Sequence, residues 1–240
     1  MASAAPQVGT LYGVGVGPGD PELITVKAFR LMKECPVIAY PKKRMGGKSY
    51  ALEIAEMYLD TAEKDMLGLI FPMTKEKSVL EKEWSKTVEA CWSRLKDGLD
   101  VAFLTEGDPN LYSTFIHMAR LMQERYPDVP IRTVPGISSV LGAAAQLGLP
   151  LADGDEQVAI VPATDDREAM KKAIEEHDTV LFLKVAKVID LMIDVLEELE
   201  LTDKASVVTK VTSPYETVWR DVRSLKGQSL EYLTLMAVKK

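Results

Sequence analysis

The sequence predicts an α/β protein of two domains. An open, five-stranded parallel sheet forms the N-terminal domain, a mixed five-stranded sheet forms the C-terminal domain, and the active-site cleft lies between them. From Thr10 onward, short apolar runs alternate with longer helical patterns, which is typical of βαβ units. Near the C-terminus two strand patterns follow without room for helices between them, and strands this close pair antiparallel.

The N-terminal domain is predicted to span residues 9–137. Glu22 begins the first helical pattern, and Gly98 follows the longest one as a typical C-terminal stop. The strands are predicted at 11–16, 37–40, 66–71, 101–104 and 131–134, and the helices at 22–33, 50–58, 77–96 and 111–124. Because helical segments separate all five strands, we expect a parallel sheet covered by helices on both faces.

The C-terminal domain is predicted to span residues 138–240. It begins with a helix rich in small residues, and two helical stretches separate its first three strands. The predicted helix covers 138–148, and the predicted strands cover 157–161, 179–184, 205–211, 217–222 and 231–238. The last two strands make this sheet mixed.

The bulk composition restricts the class of protein. With 240 residues and 47% hydrophobic residues, the chain is long enough for a substantial core. A net charge of -7 argues against nucleic acid as a partner.

Cys35 and Cys91 have no CxxC spacing, so we expect neither a disulfide framework nor a metal site. The first six residues do not resemble a secretory signal, and no run reaches the ~20 apolar residues of a membrane span. We expect a soluble, cytoplasmic protein without a membrane segment.

The tripeptide Gly-Asp-Pro occurs at 19–21 and again at 107–109, each time after a strand and before a helix. Helix-start chemistry explains the aspartate and the proline, since Asp is a good N-cap and Pro suits the first helical position. It does not explain the additional glycines at 13, 15 and 17. Glycines at the carboxyl end of a buried strand allow a ligand or another backbone segment to approach closely.

The turn chemistry favours a cationic ligand without phosphate. The dinucleotide fingerprint is absent because Asp20 stands in the place of its third glycine, and no acidic residue follows the second strand. There is no Walker A sequence. An aspartate at a helix start repels phosphate and tolerates a cation. S-adenosylmethionine, which carries a sulfonium, an ammonium and no phosphate, fits these turns better than NAD.

Three segments resemble the motifs of the tetrapyrrole (corrin/porphyrin) methylase family. They read GVGPGDPELIT at 15–25, TEGDPNLY at 105–112 and VPGISS at 134–139, in the family's order. The resemblance runs from about Gly9 to the end of the chain. It implies two α/β domains, a homodimer, a small tetrapyrrole substrate, and S-adenosylmethionine folded in the cleft and released as S-adenosylhomocysteine.

Carried over residue by residue, the resemblance implies a set of contacts to the methyl donor. Lys184 stands where several relatives have methionine, so its contact is expected from the main chain. Glu106 stands where relatives acting on uroporphyrinogen usually have glycine, which points away from that branch. The implied donor contacts are Pro18, Glu106, Gly107, Asp108, Leu111, Ser138, Ser139, Lys184 and Thr212.

Within the family, several segments are similar to the branch that methylates precorrin-2, or its cobalt form, at C-20. These are YST at 112–114, LPL at 149–151, GDE at 154–156, TVLFLK at 179–184 and YLTL at 232–235. The alternatives are methylation of uroporphyrinogen III at C-2 and C-7 or of precorrin-4 at C-11, and the family's diphthine synthases and ribosomal-RNA ribose methylases. A catalytically silent S-adenosylmethionine-binding module is a further alternative.

Methyl transfer from a sulfonium to carbon is an in-line displacement that needs alignment and exclusion of water rather than an enzyme nucleophile. A residue that accepts the lost proton can still assist. Asp20, Asp108 and Tyr112 are the catalytic candidates by position, whereas His117 and His177 fit structural or exposed roles better.

A basic loop follows the second predicted strand. It contains Lys42, Lys43, Arg44 and Lys48, with Gly46 and Gly47 between them. Ligands of an open α/β sheet bind outside the carboxyl ends of its strands, and the loop lies there. We therefore interpret it as the site for the carboxylates of the substrate; the alternative is a solvated surface loop.

Overall fold

A computed structural model describes residues 7–72 and 76–240, without the side chains of residues 77–79 and 81. The expectation that the first six residues form no secretory signal lies outside the described residues. The chain divides into two compact units: the first ends at Ser138 and the second is Ser139–Lys240.

The first unit contains a five-stranded sheet in which every neighbouring pair is parallel, as predicted. Its strands are β1 (Leu11–Gly15), β2 (Val37–Lys42), β3 (Asp65–Ile70), β4 (Val101–Thr105) and β5 (Ile131–Val134), in the order β3-β2-β4-β1-β5. The connection leaving β1 crosses β4 to reach β2, and the connection leaving β4 crosses β1 to reach β5. The carboxyl ends of β1 and β4 therefore lie where the connections diverge, which is the usual ligand position in such sheets.

Helices cover both faces of this sheet, also as predicted. They are α1 (Val26–Glu34), α2 (Tyr50–Ala55), α3 (Lys77–Leu95) and α4 (Thr114–Arg125). Helices α1 and α2 pack on one face through a core that includes Leu31, Ile54 and Leu104. Helices α3 and α4 pack on the other face around Phe103 and Phe115. With both faces covered, β1, β2 and β4 bury nearly continuous runs, which is why the sequence identified them, whereas β3 and β5 at the two sides of the sheet are more exposed.

Two helices begin later than predicted. The helix expected at 22–33 is a 3₁₀ turn (Pro21–Leu23) followed by α1, whose N-cap is Thr25. The helix expected at 111–124 begins at Thr114, because Tyr112 has a positive φ of 52° and Ser113 provides the cap. The predicted helix at 50–58 consists of α2 and a 3₁₀ turn (Glu56–Tyr58).

The second unit contains the predicted mixed sheet. Its strands are β6 (Val158–Pro162), β7 (Thr179–Leu183), β8 (Ala205–Thr209), β9 (Thr217–Trp219) and β10 (Thr234–Lys239), in the order β6-β7-β10-β8-β9. The pair β6 and β7 is parallel, and the other pairs are antiparallel. Helix α5 (Ser139–Leu147) packs on one face, and α6 (Arg167–Glu176) and α7 (Ile189–Glu198) pack on the other.

The last strand is not paired with its predecessor, which differs from the sequence prediction. Strands β8 and β9 pair antiparallel as expected, but β10 lies between β7 and β8. A 3₁₀ turn (Val222–Leu225) connects β9 to β10, and its Val222 and Leu225 side chains are fully buried. This short turn joins the core of the α6 and α7 face, so the chain crosses the sheet without an α-helix.

Both cysteines are free and buried, and neither has the properties of a nucleophile. Burial raises the pKa of each thiol, Cys35 and Cys91, to about 12. The thiolate is the reactive form of cysteine, and it is scarce at neutral pH when the pKa is this high. Among the described residues, no helix has the length and apolar character needed to cross a bilayer.

His117 lies between the two helices on one face of the first sheet. Its ring stacks on Trp84 of α3, with 4.8 Å between ring centroids and 20° between the planes. Its Nδ1 is buried and has no hydrogen-bond partner among the described residues. Burial, followed by the positive charge of Arg120, lowers the pKa of His117.

The depressed pKa predicts an effect of pH on stability. Unfolding returns His117 to a pKa of about 6.5, so the unfolded chain takes up the proton first as the pH falls. Neutral His117 makes its full contribution to the free energy of unfolding when the pH is above the pKa of the unfolded chain. This contribution is lost as the pH falls toward the lower pKa of the folded state. In urea unfolding at several pH values, we expect a shallower decrease from about pH 7 to pH 5 in His117→Phe than in the wild type.

His177→Gln is the control for this experiment, because the Nδ1 atom of His177 already pairs with the Ala173 carbonyl oxygen at 3.0 Å. It should follow the wild-type curve. Parallel curves for wild type and His117→Phe would contradict the prediction.

Candidate functional site

Three backbone segments meet at the carboxyl ends of β1, β4 and β5. A Cβ atom on Gly15 would lie 2.6 Å from the Gly107 carbonyl oxygen and 2.6 Å from the Gly136 nitrogen. A Cβ atom on Gly136 would overlap the same Gly107 oxygen. Separations this short are not found for real Cβ atoms, so both positions require glycine. The three sequence motifs thus form one main-chain cluster.

The first two motifs stay paired beyond the ends of their strands. The Val16 N–H donates to the Thr105 carbonyl oxygen (3.0 Å), and the Gly107 N–H donates to the Gly17 carbonyl oxygen (2.8 Å). Gly17 and Gly107 have φ angles of 83° and 66°, which lie in the left-handed region that favours glycine. These bonds fix the loops after β1 and β4 relative to each other.

Asp108 connects the second motif to the third. Its Oδ1 accepts from the Asn110 N–H at 2.8 Å, and its Oδ2 accepts from the Gly136 N–H at 3.0 Å. Asp108 is therefore engaged in holding the main-chain cluster together, a role that the sequence did not indicate for this candidate.

Asp20 and Pro18 lie in the loop after β1. The Asp20 Oδ1 accepts from the Glu22 N–H at 2.8 Å, so Asp20 caps the 3₁₀ turn rather than a long helix. Pro18 is buried, and its carbonyl oxygen accepts from the Tyr50 hydroxyl at 3.3 Å. Tyr50 is the first residue of α2, so the loop after β1 is connected to the segment that follows the basic loop.

The remaining first-unit candidates lie around the second and third motifs. Glu106 is exposed, and Leu111 is partly buried. Tyr112 is 46% exposed and has a left-handed backbone, which is uncommon for a non-glycine residue. Ser138 lies beside Gly107, since its Cα would be 3.8 Å from a Cβ placed there.

The second unit carries the other three candidates. Ser139 is the first residue of α5, Lys184 directly follows β7, and Thr212 follows β8. Both β7 and β8 run antiparallel to β10, so their carboxyl ends lie at the same edge of this sheet. Lys184 and Thr212 have φ angles of 61° and 64°. Backbone strain of this kind is concentrated at functional sites.

Sequence reasoning did not identify three other residues at this edge, Lys210, Glu216 and Glu231. The Thr212 N–H donates to the Glu216 Oε2 at 2.5 Å, and the Lys210 Nζ is paired with the Glu231 Oε2 at 2.6 Å. Lys210 also has a positive φ, of 47°. No sequence signal marks a left-handed lysine or threonine, because propensity favours glycine and asparagine there.

The structure separates the four basic candidates. Lys42 belongs to β2; its Nζ lies 5.3 Å from the centre of the Tyr40 ring. Lys43, Arg44 and Lys48 are exposed in the loop that follows. Because β2 runs parallel to β4, this loop leaves the sheet at the same edge as the main-chain cluster. Within the described residues, no group of three or more His, Cys, Asp or Glu side chains is arranged to hold a metal ion.

The fold and the candidate site define a class of protein. It has two α/β units, and in the first unit three glycine-containing segments pack together at the carboxyl ends of the strands. A profile of the tetrapyrrole (corrin/porphyrin) methylases matches residues 10–225 of this chain. The chain belongs to this family and is therefore a methyltransferase.

Individual proteins are similar over most of the chain. The probable cobalt-precorrin-2 C(20)-methyltransferase of Methanocaldococcus jannaschii is 43% identical over 174 residues, 72% of this chain and 71% of the relative. The cobalt-precorrin-2 C(20)-methyltransferase of Salmonella typhimurium is 30% identical over 233 residues, 97% of each chain. The structure of uroporphyrin-III C-methyltransferase from Thermus thermophilus, complexed with S-adenosylhomocysteine, superposes with a TM-score of 0.64 at 23% identity, covering 97% of this chain and 98% of that one. This last likeness confirms the fold.

The two acceptor bonds of Asp108 predict that Asp108→Asn destabilises the protein. An asparagine side chain has one oxygen, so either the Asn110 or the Gly136 N–H loses its acceptor and faces an NH₂ group. We expect the free energy of unfolding to decrease by about 1–3 kcal/mol, measured by urea unfolding followed by circular dichroism.

Asp166→Asn is the matched control. Asp166 caps α6 through a bond from the Ala169 N–H to its Oδ1 (3.0 Å), and asparagine can make the same bond. We expect a change of less than about 0.5 kcal/mol in this variant. Equal losses in the two variants would argue against the special role of Asp108.

Proposed function

We propose that this protein transfers a methyl group from S-adenosylmethionine to C-20 of precorrin-2, or of its cobalt form, in cobalamin biosynthesis. Family membership and the names of the two similar proteins support this reaction. The observation that carries the proposal is the main-chain cluster, in which three family motifs come together without side chains at their closest approach.

The residues at the two sheet edges fit a cationic methyl donor. Where Gly15, Gly107 and Gly136 meet, the absence of Cβ atoms lets the three loops pack directly on one another, which fixes the peptide groups at the strand ends. Two aspartate carboxylates, those of Asp20 and Asp108, lie in the adjacent loops and favour positive charge. We propose that the donor is held by Pro18, Glu106, Gly107, Asp108, Leu111 and Ser138 from the first unit and by Ser139, Lys184 and Thr212 from the second.

The bound donor supplies an electrophilic methyl group, so the protein's task is alignment rather than activation. The electron-rich meso carbon of a reduced tetrapyrrole serves as the nucleophile, and the two buried cysteines take no part. Rigid peptide groups suit this task because they hold a fixed geometry. Of the acid–base candidates, Asp108 already accepts two N–H bonds. We therefore propose the Asp20 carboxylate and the Tyr112 hydroxyl as the groups that manage the proton lost from the ring.

We propose that the basic loop binds the carboxylates of the tetrapyrrole. The chain has a net charge of -7, so an anionic substrate needs a local positive field. Lys43, Arg44 and Lys48 are exposed at the edge of the sheet where the main-chain cluster lies. Met45, which is 85% exposed between them, offers an apolar contact to a macrocycle.

We further propose a cytoplasmic homodimer, with residues 9–137 and 138–240 as its functional domains. The resemblance to the family supports the dimer. The two buried, unpaired cysteines are consistent with a reducing compartment.

The proposed reaction is tested by incubating the protein with ¹³C-methyl-labelled S-adenosylmethionine and precorrin-2, with and without cobalt. We expect one label per ring, located by NMR at C-20, and S-adenosylhomocysteine in equal amount. Comparison of the two incubations identifies the metal state of the substrate. A label at C-2, C-7 or C-11 would contradict the C-20 assignment, and binding of the donor without labelling of any ring would indicate a silent binding module.

The role of the basic loop is tested by replacing Lys42, Lys43, Arg44 and Lys48 together with glutamine. Exposed ion pairs each contribute up to about 1 kcal/mol, so we expect the KM for the tetrapyrrole to rise about tenfold with little change in the KM for the donor. The control replaces four exposed basic residues elsewhere in the first unit: Lys27, Arg30, Lys96 and Arg120. An unchanged KM in the loop variant, or an equal rise in the control, would show that the loop is only a solvated surface.

A further inference from the structure

The segment between β8 and β9 has an unusual backbone. Lys210 and Thr212 both have positive φ angles, of 47° and 64°, and the Val211 side chain between them is 4% exposed. Threonine is β-branched, and left-handed geometry is a genuine outlier for such residues. A threonine in this conformation persists only where surrounding groups determine it.

Glu216 supplies a group that determines this conformation. Its carboxylate Oε2 accepts from the Thr212 N–H at 2.5 Å. Its own N–H donates to the Ser213 carbonyl oxygen (3.0 Å), and the Ser213 N–H donates to the Lys210 carbonyl oxygen (3.0 Å). The loop therefore closes on itself, with the Glu216 carboxylate bound directly to the main chain of the left-handed threonine. Bonds from N–H groups to an ionised acceptor are short and strong.

A second carboxylate holds the same loop at a different point. Glu231, just before β10, pairs with the Lys210 Nζ at 2.6 Å, and the Lys210 N–H donates to the Leu233 carbonyl oxygen at 2.8 Å. These contacts fix the start of the loop against β10, but they act on Lys210 rather than on Thr212. The loop thus has two carboxylate supports of different kinds, one to a side chain and one to a peptide group.

We infer that Glu216 is a positioning residue for methyl-donor binding. This inference rests on the proposed function, in which Thr212 contacts the donor. By accepting the Thr212 N–H, Glu216 sets the orientation of the Thr212 peptide group at the edge of the sheet that also carries Lys184. With its N–H bound to Glu216, Thr212 contacts the donor through its carbonyl or hydroxyl oxygen. Glu216 itself acts through Thr212.

The test compares Glu216→Ala, Glu216→Gln and Glu231→Ala. The alanine variant removes the acceptor for the Thr212 N–H, and the glutamine variant keeps a neutral one. Glu231→Ala removes the other support of the loop and serves as the matched control. Calorimetry measures the dissociation constant for S-adenosylhomocysteine, and hydrogen exchange measures the protection of the Thr212 amide. Steady-state kinetics separates the KM for the donor from kcat and from the KM for the tetrapyrrole.

We expect Glu216→Ala to raise the dissociation constant for S-adenosylhomocysteine and the KM for the donor about tenfold, with faster exchange of the Thr212 amide. Glu216→Gln should recover most of the affinity, and the KM for the tetrapyrrole should stay near that of the wild type. Glu231→Ala should bind within about twofold of the wild type.

Faster exchange in Glu216→Ala with unchanged affinity would overturn the inference, because the carboxylate would then only stabilise the loop. An equal loss of affinity in Glu231→Ala would overturn it as well, since any disturbance of the loop would suffice. If Glu216→Ala does not fold, Glu216→Gln decides. A small rise in the dissociation constant for S-adenosylhomocysteine without a rise in the KM for the tetrapyrrole would support the inference, and no rise, or an equal weakening of donor and tetrapyrrole binding, would overturn it. A wild-type protein that does not bind S-adenosylhomocysteine would instead overturn the proposed function.

Discussion

The first unit depends on the close approach of three backbone segments where β1, β4 and β5 end. Gly15 and Gly136 touch the Gly107 peptide group at separations that exclude a side chain. This contact requires the strand order, because β1 must lie between β4 and β5 for the three ends to meet. It also requires the helices to leave on opposite faces, as α1 and α4 do, so that they do not cover the meeting point.

Carboxylates bound to peptide N–H groups stabilise the loops in both units. Asp108 accepts the Gly136 N–H from a segment 28 residues away, and Glu216 accepts the N–H of Thr212 within one loop. Both bonds join an ionised acceptor to the main chain, which is stronger than a neutral pair. A carboxylate bound in this way holds the main chain of a loop in position. Its loss changes the positions of neighbouring peptide groups, including those that it does not contact. For that reason an acidic motif residue whose two oxygens both accept main-chain N–H groups, as those of Asp108 do, is weak evidence of proton transfer.

The limits of the sequence are evident at particular residues. The sheet types and most strands were predictable because buried strands read as continuous apolar runs and because helices separate parallel strands. The start of α4 was not, since Tyr112 adopts a left-handed backbone and Ser113 forms a hydroxyl pair with Thr105 (2.8 Å). The place of β10 between β7 and β8 depends on pairing across the whole second unit, which local patterns do not encode. The motifs indicated the candidate residues, but the bond between Asp108 and Gly136 links positions whose proximity only the fold creates. The bond of Glu216 to Thr212 is local, but it depends on a left-handed threonine that no sequence pattern signals.

The main-chain cluster also affects how a protein of this kind can change. Where a ligand is recognised through peptide groups, the surrounding side chains are not needed for that recognition and are available for another task. Lys43, Arg44 and Lys48 of the basic loop are exposed at the same end of the sheet without forming the cluster. Under the proposed function, substitutions in the basic loop would alter which acceptor is chosen while the donor position is preserved. The glycines would thus separate the position of the methyl donor from the choice of acceptor. Specificity for the acceptor could then diverge among proteins of one fold without loss of methyl transfer.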